Sequence, residues 1–269
     1  MKYLFHIFNF TFLISCSTTH IISVENPEFT KLKNQADYKD CSGATKQFEN
    51  FSLINNKWGV YKIKSGNYTQ CIYHKDGIFG WEWDAPSKSY GVLGYPELWL
   101  GTSAWGLKSE IKQPNYFKKL DELKTLKAEF DTKITATDKK YNLAFDIWLH
   151  SESTVAKENI AVELMVWEDY NKFKSHGKKK ETIRTSFGTY DMLYGIMKKP
   201  EINSKWIYIA FIRTDKRTTG KINLKELLDF LIQKNYISSD LYISSIEFGT
   251  EVLNSKGNII INKYEVEIE

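Results

Sequence analysis

From Tyr38 to the C-terminus the chain breaks into short apolar or alternating runs, each closed by residues that favour turns. The runs at 51–54, 59–63, 70–74, 78–83, 97–101, 129–137 and 143–149 are separated by Asn55-Asn56, Ser65-Gly66-Asn67, Asp76-Gly77 and the segment 91–94. In most of them the apolar residues do not recur at helical spacing. Many short strands at this interval predict an all-β fold, an antiparallel sandwich or jelly roll. One segment breaks the rule. In KINLKELLDFLIQ at 221–233, Leu224, Leu227, Leu228 and Leu231 fall at i, i+3, i+4 and i+7. Asn223 is placed as an N-cap with Glu226 three residues on. This is the one sizeable helix expected, a structural element lying on the convex side of a sheet.

Two of the strand-like stretches carry carboxylates. In AVELMVW at 161–167, alternation puts Glu163, Met165 and Trp167 on one face and Val162, Leu164 and Val166 on the other. The second face is a core stripe. The first holds a charge that a buried stripe would not accept unpaired. In IEFGTE at 246–251, Glu247, Gly249 and Glu251 share a face, and the glycine leaves space where another molecule can approach. In LAFDIWL at 143–149, Asp146 leaves the core phase and joins Ala144 and Trp148. On residue type alone, all of these acids can equally be solvent-face residues. Two glutamates on strands facing a concave surface are also the minimum equipment for cleaving a glycosidic bond.

At 269 residues and 42% hydrophobic content, the chain suits one large β domain, expected over 38–269. The net charge of +4, with scattered lysines, leaves no nucleic-acid footprint. The N-terminus reads differently. Lys2 precedes an apolar run from Tyr3 to Ile14, too short to span a bilayer but suited to the core of a secretory signal over 1–16. Leu13-Ile14-Ser15-Cys16 looks like a lipobox, so Cys16 is either lipidated after cleavage or discarded with an ordinary signal. Residues 17–37 are polar and without period, as in a linker or tether. Cys41 and Cys71 then remain as an even pair in an exported chain, which reads as a disulfide. Closing that loop contributes about 3 kcal/mol.

The wording around the acids goes further. ELMVW at 163–167 and GTE at 249–251, with NNKWG at 55–59, GWEWDAP at 80–86, YPEL at 95–98, YNLAFDIWL at 141–149, YDMLYG at 190–195 and WIYIAFI at 206–212, resemble glycoside hydrolase family 12 in the family's order. These are retaining endo-acting β-glucanases and xyloglucanases. The resemblance implies a jelly roll of two packed antiparallel sheets with an open cleft. It implies Glu163 as nucleophile, Glu251 as general acid/base and Asp146 beside the nucleophile. It also implies Trp58 as a sugar platform with Asn56 donating nearby, and a disulfide tying the first strands. Met165 and Trp167 are expected on the cleft floor, Trp81 along the cleft, and Glu247 as a binding or tuning residue. Glu168 and Val252 depart from the family's usual apolar residue and proline.

The expected partner is a β-glucan polysaccharide, met by a monomer whose membrane contact is limited to a lipid anchor at Cys16. No cofactor is expected. The 5 histidines show no ligand spacing, so no metal site is assigned, and no nucleophile-elbow motif is present. Alternatives from other classes are a non-catalytic glycan-binding module on the same sandwich, a xylanase of the neighbouring jelly-roll family, and a surface-scaffold lipoprotein.

Overall fold

The computed structural model describes residues 26–49, 51–86, 88–105, 118–137, 140–200 and 204–269. The expected signal over 1–16, Cys16 within it, and the first part of the 17–37 tether lie outside the described residues.

Two β-sheets pack face to face. The smaller runs, in spatial order, β1 (Tyr38–Asp40), β4 (Thr69–Lys75), β5 (Ile78–Asp84), β16 (Lys256–Ile268), β8 (Leu126–Thr137) and β14 (Thr219–Asn223). The larger runs β11 (Lys178–Thr185), β12 (Gly188–Lys199), β13 (Ser204–Arg213), β10 (Ile160–Asn171), β9 (Tyr141–His150), β15 (Tyr242–Gly249), β6 (Tyr95–Gly101), β3 (Ser52–Asn56) and β2 (Thr45–Gln47), with β7 (Lys118–Lys119) beside β15. All pairs are antiparallel except β10 with β13, which run parallel. This is the jelly-roll architecture expected.

The core lies between the sheets. Val162, Leu164 and Val166 of β10 meet Phe145 and Ile147 of β9, Phe248 of β15 and, from the small sheet, Trp81, Phe130 and Ile259. Phe145, Phe130 and Phe248 pack with ring centroids 4.7 to 5.9 Å apart. Truncating any one of them to Ala would cost about 3–5 kcal/mol. Where the small sheet ends at β14, α2 (Leu224–Gln233) continues the inner layer. Its four leucines are buried as the spacing predicts, and Phe230 meets Phe211 of β13 at 6.4 Å. Asn223 stands at the N-cap without a side-chain capping bond, and Glu226 instead accepts from Ser186.

Three local expectations are corrected. The tether contains a second helix, α1 (Pro27–Gln35), capped by Asn26, with Phe29 and Leu32 buried on the outer face of the small sheet against Tyr73 and Ile260. Gly80 permits this approach, because a Cβ there would stand 2.8 Å from Leu32 and 2.7 Å from the Ile259 carbonyl. The run at 59–63 is not a strand but holds a 3-10 turn, Val60–Lys62. Asn55 lies inside β3 rather than in a turn, fully buried, where its side-chain amide donates to Asp40 Oδ2 and the Gln70 carbonyl and accepts from the Gln70 side chain. Asp76-Gly77 does turn the chain between β4 and β5, both residues at positive φ. Cys41 and Cys71 form a disulfide where β1 pairs with β4.

Candidate active site

The inter-sheet face of the large sheet is apolar. Its other face carries the acids. Register places Glu163 of β10 beside Trp148 of β9 and Tyr208 of β13, and Met165 beside Asp146 and Ala210. Asp146 stands directly opposite Glu247 of β15, and Gly249 of the same strand pairs with Glu97 of β6. Alternation within strands and pairing between them therefore line up Glu97, Glu247, Asp146 and Glu163 across four neighbouring strands.

Glu163 is half-buried, and its Oε2 accepts a 2.7 Å hydrogen bond from the Trp206 indole N–H. Burial raises its pKa to about 7, with the Glu247 charge adding to the rise and the Trp206 bond opposing it. Glu251 follows the end of β15 and is clamped by one side chain: Asn142 donates to Glu251 Oε2 and accepts from the Glu251 backbone N–H at 2.8 Å. Burial lifts the Glu251 pKa to about 8, the Glu163 charge adds to the lift, and Asn142 and the Lys62 ammonium lower it. Each carboxyl is thus held by a neutral donor, and Glu251 keeps its proton to the higher pH.

Asp146 is 8% exposed, and its Oδ1 has no hydrogen-bond partner. Burial pushes its pKa well up, followed by the charges of Glu163, Glu247 and Glu251. A carboxyl in this position holds its proton more tightly than an exposed one.

The tryptophans in question separate into four groups. Trp58 is 50% exposed, its backbone N–H bonded to Asn56 Oδ1 at 3.3 Å and one ring face covered by the Lys62 ammonium at 3.9 Å. Trp105, Trp148 and Trp206 form a cluster with ring centroids 5.4 to 6.0 Å apart. Trp81 does not line the cleft: it sits on the small sheet, fully buried in the inter-sheet core. Alternation gives a strand two faces but does not say to which sheet the strand belongs. Met165 and Trp167 lie on the acid-bearing face, but both are covered. Phe173 stacks on Trp167 at 5.0 Å, and the Met165 sulfur accepts from the Tyr208 hydroxyl. Trp167 is therefore buried and offers no ring face. Gly249 does not leave open space either. Tyr95 and Glu97 fill it, with a Cβ at 249 falling 2.9 Å from each, and the Tyr95 hydroxyl reaches Ala144 O at 2.8 Å.

Five residues with contacts at the site were not singled out from sequence: Trp206, Tyr208, Asn142, Glu97 and Lys62. Asn142 shares the phase of Asp146, so alternation contained a signal for it. Trp206 and Tyr208 lie in a run already quoted, but their place beside Glu163 depends on the parallel pairing of β10 with β13. Lys62 sits in an irregular turn and carried no signal.

The sequence profile described as "Glycosyl hydrolase family 12" matches residues 49–269. The chain is 28% identical to endoglucanase S of Pectobacterium parmentieri over 225 residues, covering 81% of this chain and 82% of that protein. It is 22% identical to a probable xyloglucan-specific endo-beta-1,4-glucanase A of Aspergillus clavatus over 229 residues, covering 81% of this chain and 86% of that one. The family 12 xyloglucanase of Bacillus licheniformis, solved with a ligand, superposes with a TM-score of 0.77 at 26% identity, over 86% of this chain and 99% of that chain.

Proposed function

Because the chain belongs to glycosyl hydrolase family 12 and is thus a glycoside hydrolase, we propose that it is a retaining endo-β-1,4-glucanase. It cuts internal bonds of β-glucans, whether cellulose-like, mixed-linkage or xyloglucan, and acts outside the cytoplasm, either free or anchored through Cys16. The observation that carries this reading is the Glu163–Glu251 pair: two half-buried carboxyls, each held by a neutral donor, with the charge of Glu163 raising the pKa of Glu251.

The chemistry follows from the two environments. The Glu163 carboxylate attacks the anomeric carbon while the Glu251 carboxyl gives its proton to the departing glycosidic oxygen, leaving a glycosyl ester on Glu163. Glu251, now ionised, takes a proton from water, and the resulting hydroxide displaces Glu163 from the anomeric carbon. Both groups return to their starting states. Trp58 offers its uncovered ring face to a glucosyl unit, and Asp146, on the strand beside Glu163, interacts electrostatically with the nucleophile.

Purified domain incubated with xyloglucan, mixed-linkage β-glucan and soluble cellulose should release new reducing ends from at least one polymer, with the β-anomer appearing first by proton NMR. Glu163→Gln and Glu251→Gln should both abolish release. Binding without release by the wild type would replace this reading with the glycan-binding module, and an α-anomer appearing first would end the double-displacement assignment.

A further inference from the structure

Two carboxyls at the site have no place in the two-glutamate mechanism. Glu97 is 1% exposed and Glu247 8% exposed, so both lie under the cleft face rather than on it. Glu97 pairs with Gly249, two residues from Glu247 on β15, so the two buried carboxyls are diagonal neighbours across β6 and β15 and each acts on the other's proton. Two carboxylates cannot bond to one another without a proton between them. Glu97 Oε2 is buried, and no donor reaches it. Its other oxygen accepts from Asn56 Nδ2 at 3.1 Å, and Glu247 Oε1 accepts from the Ser245 hydroxyl at 2.9 Å. The donors are thus spoken for, and only a proton on Glu97, pointed at Glu247, satisfies the remaining oxygen. Among the described residues, no three acids, histidines or cysteines converge as metal ligands, so the geometry does not offer a cation in place of that proton.

We propose that Glu97 and Glu247 are a proton-sharing carboxyl pair beneath the cleft, positioning residues that fix Asn56 and the Trp58 turn on one side and govern the ionisation of Asp146 and Glu163 on the other. The first arm is a chain of contacts from Glu97 Oε1 to Asn56 Nδ2 and from Asn56 Oδ1 to the Trp58 N–H. The second is electrostatic. Glu247 faces Asp146 and Trp148 from β9 and Glu97 from β6, with Glu163 one strand farther on β10, while Tyr264 of β16 stacks on Phe248 on the opposite face of β15. The Glu247 charge raises the proton affinity of both Asp146 and Glu163. Burial pushes Glu97 well up, whereas Glu247, also raised by burial, stops at about 7 because Glu97 and the Ser245 hydroxyl support its charge. The Tyr264 phenol, buried without a partner, is held protonated by burial and by both charges.

The kinetic arm of this proposal rests on the glycosidase reading; its spectroscopic arm does not. Glu247→Gln removes a negative charge near Glu163, so the acid limb of the kcat/KM profile should move to lower pH by about half a unit or more. Glu97→Leu should lower kcat/KM by about tenfold, mostly through KM, as Asn56 loses its acceptor. Glu97→Gln should recover most of that loss, because an amide reproduces the neutral acid. Carboxyl carbon NMR of the wild type should show the pair titrating in two separated steps above the ordinary carboxylate range. An unmoved acid limb in folded Glu247→Gln, or a Glu97→Gln as impaired as Glu97→Leu, would overturn the proposal. So would two independent titrations near about 4.3, even if the wild type proved inactive on every glucan.

Discussion

Glu163 and Glu168 lie five positions apart on β10, and the chain treats them in opposite ways. A bulge between Trp167 and Asp169 shifts the register at Glu168. Glu168 is fully buried among cations and a phenol: the Arg217 Nε–H donates to it, the Tyr190 hydroxyl donates at 2.6 Å, and Arg213 lies 3.8 Å away. Arg213 in turn donates to Tyr190 at 2.7 Å, which closes the network. Glu163 is bonded instead by a neutral indole, and the charge acting on it is that of Glu247. One buried carboxylate is neutralised, and it holds strands together. The other is left among its own kind, which weakens the fold locally and keeps its proton equilibrium near neutral pH.

The sharpest way to break this contrast is to remove each charge. Glu163→Gln or Glu251→Gln should lower kcat by about a thousandfold or more, yet Glu251→Gln should melt higher at pH 8, by about 2–4 °C for each 1 kcal/mol of relieved repulsion. A lower melting point for that variant would mean that the acids are better compensated than the contacts indicate. Glu168→Gln should do the reverse. It leaves two arginines without their counter-charge and should reduce unfolding free energy in urea by about 3–5 kcal/mol, with the pH limits of the remaining activity unmoved.

Smaller effects should follow pH. The proposed double displacement needs Glu163 ionised and Glu251 protonated, so the profile should be bell-shaped, with apparent limits near the values of about 7 and about 8 that belong to the pair together. A broad plateau from pH 4 to pH 9 would show that the repulsion is absent. Stability carries the same signature with the sign reversed from an ion pair. Glu163, Glu247 and Glu251 bind protons more tightly folded than unfolded, so their contribution is full below about 4.3 and is lost as pH rises through about 7 to 8. Melting temperature should therefore decline from pH 5 to pH 8, and less steeply in Glu247→Gln.

Alternation along single strands made part of this site legible. Glu163 and Asp146 were separated from their core-facing neighbours by phase alone, and the wording around Glu163 and Glu251 identified the family. Phase does not report which strands become neighbours. Glu97 could not be joined to Glu247, nor Trp206 to Glu163, without the pairings of β6 with β15 and of β10 with β13. The same blindness sent Trp81 to the cleft, when β5 belongs to the other sheet. Helix α1 escaped notice because only Phe29 and Leu32 anchor it, too few to establish a period.

Trp206 reaches Glu163 across 43 positions of chain, and Asn142 reaches Glu251 across 109. Contacts this distant in sequence are slow to form, because loop closure precedes any reward. The proposed reactive pair should therefore be assembled late on the folding pathway, after the strands that carry it have joined one sheet. Refolding chains should regain secondary structure first and turnover last, in step with the slowest phase. A growing chain has no such pair before Glu251 emerges, so the hydrolase is expected to stay silent until β15 has been made.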